Sequence, residues 1–133
     1  MKPPASAKVV ESHTSRYWFE EDVLCIVSLK IPQLDLAMRI KQLEEIKKIT
    51  GGKKIYAIVD ITDSEPFSRE TREYHSQEFP SIFKAMAVIA STPAAKMIAN
   101  LYLGLQPLPF PVKVFDDETE ARSWIKQQKA RNL

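Results

Sequence analysis

The period of the hydrophobic pattern changes several times along the chain, and each change marks an element. Lys54–Ile61 is a near-continuous apolar run rich in β-branched and aromatic residues, preceded by Gly51-Gly52 and followed by the polar turn 62–66. Apolar side chains on both parities suit a strand covered on both faces, as at the centre of a parallel sheet. Lys84–Ala90 repeats that pattern, and Val112–Phe115 is a shorter version. Upstream, Arg16–Glu20 and Val23–Leu29 flank Glu21-Asp22 and read as a hairpin. Its turn chemistry is weak, since Asp-Gly would be expected. Val9-Val10 has the composition of an edge-strand start, and Pro32 ends the second hairpin strand.

Helical periods fill the gaps. Asp35 is placed to cap a helix in which Leu36, Ile40, Leu43, Ile46 and Ile49 form one stripe. Arg39, Lys41, Glu44, Glu45, Lys47 and Lys48 occupy its other face, and Gly51 supplies a left-handed cap. The basic cluster Lys47, Lys48, Lys53 and Lys54 reads as helix-end electrostatics rather than a phosphate site. Ser68 precedes a polar helix over Arg69–Glu78, with Tyr74 and Phe79 expected inward and Pro80 as its stop. Ser91-Thr92-Pro93 opens a third helix, closed by Gly104, whose only polar residues of note are Lys96 and Asn100. Asp116 or Asp117 caps the last helix, with Ala121, Trp124, Ile125 and Gln128 inward.

The order ββαβαβαβα gives an α/β domain: a mostly parallel five-stranded sheet with an N-terminal hairpin and four helices. Residues 1–8, with two prolines, read as a flexible arm and residues 9–133 as one domain. With 133 residues, 44% hydrophobic and 27% charged, the chain can bury one core unaided. Its net charge of +2 gives no basis for a nucleic-acid surface. The single cysteine, Cys25, forms no internal disulfide and reads as a small buried hydrophobe. No apolar run is long enough to span a membrane, and no leader pattern is visible, so a cytoplasmic location is expected.

Three stretches in this order resemble the STAS fold of anti-sigma-factor antagonists and sulfate-transporter tails. They are similar above all to bacterial STAS-like proteins of unknown role. The stretches are Trp18–Leu24, Thr50–Lys54 running into Ile58–Ile61, and Pro111–Phe115 with Glu120, Ala121 and Trp124. The similarity covers about Tyr17 to Lys126. It implies a binding or switching domain rather than an enzyme. In anti-sigma-factor antagonists a serine in an Asp-Ser-Ser-Gly-like stretch opens the second helix and is phosphorylated. The matching residues here, Asp63–Thr71, contain no Ser-Gly pair. Ser68 reads as an N-cap, and any regulatory phosphorylation is expected on Ser64, Ser68 or Thr71, near the helix's positive end.

The catalytic vocabulary is thin. His13 and His75 are too few for a metal site, and three glycines argue against a dinucleotide loop, so no cofactor is expected. Asp60 and Asp63 flank the carboxyl end of the central strand, where they could serve a polar ligand or act as acid and base, but they are equally ordinary turn formers. The residues therefore point to a non-catalytic domain acting through protein contacts, with itself as a homodimer or with another protein. The alternative is a carrier of a small apolar or lipid-like ligand. Both rest on Met97, Ile98, Leu101, Tyr102, Leu105 and Phe110, since the third helix is apolar on nearly every face and the proline-rich loop after it could fold back over it.

Overall fold

A computed structural model describes residues 1–12, 15–29, 36–64, 66–105 and 107–132. His13, Pro32 and Asp35, with the roles expected of them, lie outside the described residues. The strands are β1 (Val10–Glu11), β2 (Ser15–Glu20), β3 (Val23–Ser28), β4 (Ile55–Asp60), β5 (Phe83–Ile89) and β6 (Val112–Phe115). The helices are α1 (Leu36–Thr50), α2 (Arg69–Glu78), α3 (Pro93–Leu105) and α4 (Glu118–Arg131). A 3-10 turn, Phe79–Ser81, extends α2.

All six strands form one sheet in the order β1-β2-β3-β4-β5-β6. The expected α/β domain with four helices is therefore present, but the count of five strands is corrected to six. The addition is β1, which pairs antiparallel with β2 through Val10 opposite Tyr17 and Glu11 opposite Arg16. Two residues are too short to show an alternation in sequence. β2 and β3 form the hairpin, and β3 to β6 run parallel, with Cys25 beside Ile58, Ile58 beside Ala87 and Ala87 beside Lys113.

Because β3 to β6 lie side by side in chain order, crossovers of one hand place α1, α2 and α3 on the same face. The core there joins Leu43 and Ile46 of α1 and Ala95 and Ala99 of α3 to Leu24, Ala57 and Met86 of the sheet. On the opposite face, Ala121 and Ile125 of α4 cover Trp18, Cys25, Ile58 and Ala87. Of residues 1–8, expected as a flexible arm, Met1 and Ala7 pack against the cluster on that second face. Arg122 of α4 grips Glu20 through two bonds of 3.0 Å, and the Trp18 indole N–H donates to the same carboxylate at 2.8 Å. These donors, Arg122 foremost, hold the Glu20 carboxyl down at about 2. Cys25 is fully buried beneath them, and burial pushes its thiol up to about 12, consistent with an inert hydrophobe.

Local chemistry sets the helix ends. The Ser68 Oγ accepts from the Thr71 N–H, Thr92 Oγ1 from the Ala95 N–H, and Asp117 from the Glu120 N–H. Gly51, at φ +63°, closes α1 as expected. Gly104 does not close α3, which continues to Leu105.

The inward faces of two helices differ from the reading of the sequence. In α1 the buried residues are Arg39, Gln42, Leu43 and Ile46, while Ile49 is exposed. In α2 they are Thr71 and His75, with Tyr74 only half-buried. Both corrections have one cause. The sheet selects a stripe by geometry, and polar side chains that find partners can occupy it.

The hairpin turn holds visible strain. Glu21 sits at φ +57°, a left-handed conformation that costs an L-residue about 1–2 kcal/mol and suits glycine at the first position of a two-residue turn. Its side chain is almost fully exposed and reaches Lys129 only at 3.7 Å, so little is lost with it. Glu21→Gly is expected to raise stability by about 1 kcal/mol, seen as a higher urea midpoint at unchanged slope. A midpoint that stays or falls would place the turn's strain elsewhere.

Candidate functional site

The two groups of residues singled out in the sequence meet different fates. In the loop after β4, Asp60 is half-buried and its Oδ1 accepts the Thr62 N–H at 3.0 Å, a turn-forming bond. Asp63 is exposed on that turn. Ser64 and Thr71 are both buried. Ser68 alone of the three hydroxyls is exposed, and it also donates to Thr71 Oγ1 at 3.0 Å. These bonds are those of a turn leading into a capped helix. Among the described residues no group of three His, Cys, Asp or Glu side chains could hold a metal ion.

The α3 group divides by face. Met97, Leu101 and Leu105, four residues apart, form an outer row exposed to 71%, 61% and 55%. Ile98 and Tyr102 point the other way and are half-buried. Phe110 packs beside Phe83, with ring centroids 6.5 Å apart, at the base of the helical face. The segment after α3 thus tucks Leu108 and Phe110 inward and leaves the outer row exposed.

Between α3 and the sheet lies a cavity of about 90 Å³. Val59, Ile61, Met86 and Val88 form its floor, and Ile98, Ala99, Tyr102 and Leu103 its roof. It exists because α3 is poorly seated. Only Ala95 and Ala99 of its thirteen residues are buried, and two methyl groups cannot fill the space that α1 and α2 leave beside them.

At the side of this apolar space, α1, α2 and α3 contribute a polar cluster that sequence reasoning missed. The Arg39 guanidinium, 6% exposed, stacks 4.8 Å from the Phe67 ring centre, and its Nη1 donates to Gln42 Oε1 at 3.4 Å. Gln42 in turn donates to Ser15 Oγ. The Arg39 Nε and Nη2 have no hydrogen-bond partner among the described residues. His75, 4% exposed, shares a 2.8 Å hydrogen bond between Nδ1 and the Tyr102 hydroxyl, and stacks on Phe79 at 4.4 Å. A signal for α2 was present: Phe67, Thr71, His75 and Phe79 recur every four residues, one line down the helix. Arg39, Gln42, Leu43 and Ile46 likewise follow the spacing of a buried face.

Burial sets the charge states. Desolvation, reinforced by the nearby Arg39 charge, depresses His75 to about 3. Desolvation lowers Arg39 to about 10, so it keeps its charge at neutral pH, and raises the Tyr102 phenol. The cluster at neutral pH is therefore one cation among neutral hydrogen-bonding groups.

His75 should make the fold acid-sensitive. Unfolded, it binds a proton below about pH 6.5; folded, it does so only near 3. Between those values the unfolded state holds more protons, so stability falls as pH falls, by at most about 1.4 kcal/mol per unit. The loss of the Glu20 contribution begins lower, as pH drops through the carboxylate range toward 2. Urea unfolding from pH 7 to 5 should therefore show a slope in wild type that His75→Phe removes, whatever constant offset the variant carries. A slope that persists in His75→Phe would refute the assignment.

Comparison with solved structures agrees with this architecture. An uncharacterised protein of the DUF3478 family from Shewanella loihica, with a SpoIIAA-like fold, matches at 20% identity and a TM-score of 0.50, over 93% of this chain and 98% of its own. The fold is thus STAS-like, as the sequence resemblance implied. A protein of unknown function from Arthrobacter matches at 19% identity and a TM-score of 0.31, over 79% and 92% of the two chains. No curated protein matches the chain. The model of one family, described as a domain of unknown function (DUF7793), covers residues 17–129, and the chain belongs to that family.

Proposed function

We propose that the protein is a non-catalytic STAS-like domain that carries a small, largely apolar ligand in the cavity beneath α3. The observation behind this reading is the cavity itself, an apolar space with a few polar groups at one side, which is the usual composition of a small-molecule site. Its 90 Å³ is less than the ~150 Å³ of an engineered apolar cavity that accepts benzene. A larger ligand must therefore lift α3. Only Ala95 and Ala99 of α3 are fully buried, and the His75–Tyr102 hydrogen bond ties the helix to α2.

The neutral probe is 1-octanol. It is expected to bind wild type in calorimetry and to raise its melting temperature. Ala99→Phe, which places a ring in the cavity, is expected to weaken binding by about tenfold or more while melting cooperatively. Unchanged octanol affinity in folded Ala99→Phe would move the site elsewhere.

The exposed row Met97, Leu101 and Leu105 favours a second reading, contact with another copy of this chain through the outer face of α3. Sedimentation at increasing concentration is expected to show a dimer that Leu101→Glu dissociates. Wild type that stays monomeric, or a dimer indifferent to Leu101→Glu, removes this surface.

A further inference from the structure

We propose that the ligand is an amphipathic monocarboxylate, an aliphatic acid whose carboxylate lies on the Nε/Nη2 edge of Arg39 and whose chain lies along the apolar floor. This deepens the carrier reading and rests on it. An unpaired charge in an apolar interior is among the costliest arrangements a fold can hold. Arg39 meets that description: it is 6% exposed, lines the cavity, and forms no ion pair among the described residues. Among the described residues, no acidic side chain lines the cavity to neutralise it.

The unpartnered atoms identify the ligand's headgroup. Nε and Nη2 share one edge of the planar guanidinium and present two parallel N–H groups, the geometry that a carboxylate accepts with both oxygens. Nη1, on the remaining corner, is held by Gln42, and Phe67 supports the plane from one side. The guanidinium is thus oriented before any ligand arrives, which lowers the cost of binding. Charge balance favours a monoanion. His75 is neutral at physiological pH, so Arg39 is the single cation among the described lining residues, and a dianionic phosphate would leave one charge uncompensated by them.

The rest of the cavity suits a hydrocarbon tail. Phe83, Met86 and Val88, spread over about 16 Å of β5, are among the apolar residues that line it. Tyr102 and His75 already satisfy each other, so neither demands a polar group on the tail.

The test compares octanoate with 1-octanol at pH 7.5 by calorimetry, on wild type and on Arg39→Met, which keeps an unbranched stem and removes the charge. Octanoate is expected to bind wild type at least about tenfold more tightly than octanol. Arg39→Met should lose about tenfold or more for octanoate and stay within about threefold for octanol. A second measurement needs no variant. Carboxyl-labelled octanoate bound to wild type should remain ionised to lower pH than free octanoate, read by carbon NMR, because Arg39 stabilises the anion. Equal affinities for the two probes, or an octanoate preference that survives in Arg39→Met, or an unshifted carboxyl titration, would overturn the headgroup assignment while leaving the carrier reading intact. Failure of both probes to bind wild type would overturn both.

Discussion

The order of the parallel strands is the constraint on which the rest depends. With β3 to β6 adjacent in chain order, three crossover helices share one face of the sheet and a single helix, α4, covers the other. The two faces are then filled by different means. On the α4 face, small residues of the sheet such as Ala85 and Ala87 admit close approach, and the Glu20–Arg122 pair fixes the helix. On the crowded face, three helices compete for one surface. α1 buries Arg39, Gln42, Leu43 and Ile46 there and α2 Thr71 and His75, while the fully buried residues of α3 are two alanines. The cavity is the space left by that mismatch.

Polar residues enter the crowded face because both the helices and the sheet supply partners there. Ser15 receives Gln42, Gln42 holds Arg39, and Phe67 lies under the guanidinium. His75 and Tyr102 close a second bond across α2 and α3. Such groups are costly to bury singly and tolerable when joined. Among the described residues, these groups are all joined except for one edge of Arg39, whose Nε and Nη2 have no hydrogen-bond partner.

What the sequence made legible follows from where periodicity is unambiguous. β4 and β5 were visible because strands buried on both faces show as uninterrupted apolar runs, and α2 was visible as Arg69–Glu78 because a serine opens it and a proline follows. The excess of apolar residues on α3 was visible too, but not its division into an inner row at Ile98 and Tyr102 and an outer row at Met97 and Leu101. That division depends on the helix's rotation relative to the sheet. The inner site was hidden for a related reason. Arg39, Gln42 and His75 are polar, and a reading that assigns apolar residues to the core sends them outward. Their spacing was right and their chemistry misleading. The loop of Asp60, Asp63, Ser64, Ser68 and Thr71 drew attention through its chemistry, yet its hydrogen bonds are those of a turn and a cap, and the described residues of this stretch that reach the cavity are the apolar Ile61 and Phe67.

The two functional readings meet in α3. Its inner row lines the cavity and its outer row faces solvent. A ligand that fills the cavity must act on the position of α3, and a partner seated on Met97, Leu101 and Leu105 must act on the same helix from the other side. Two ligands that bias one element are linked, each altering the other's affinity by the same factor. The size of that factor depends only on how differently each binds the raised and lowered helix. On the proposed reading, a binding domain with this construction needs no separate switch. The poorly seated helix that creates the pocket is also the surface through which its occupancy would be read.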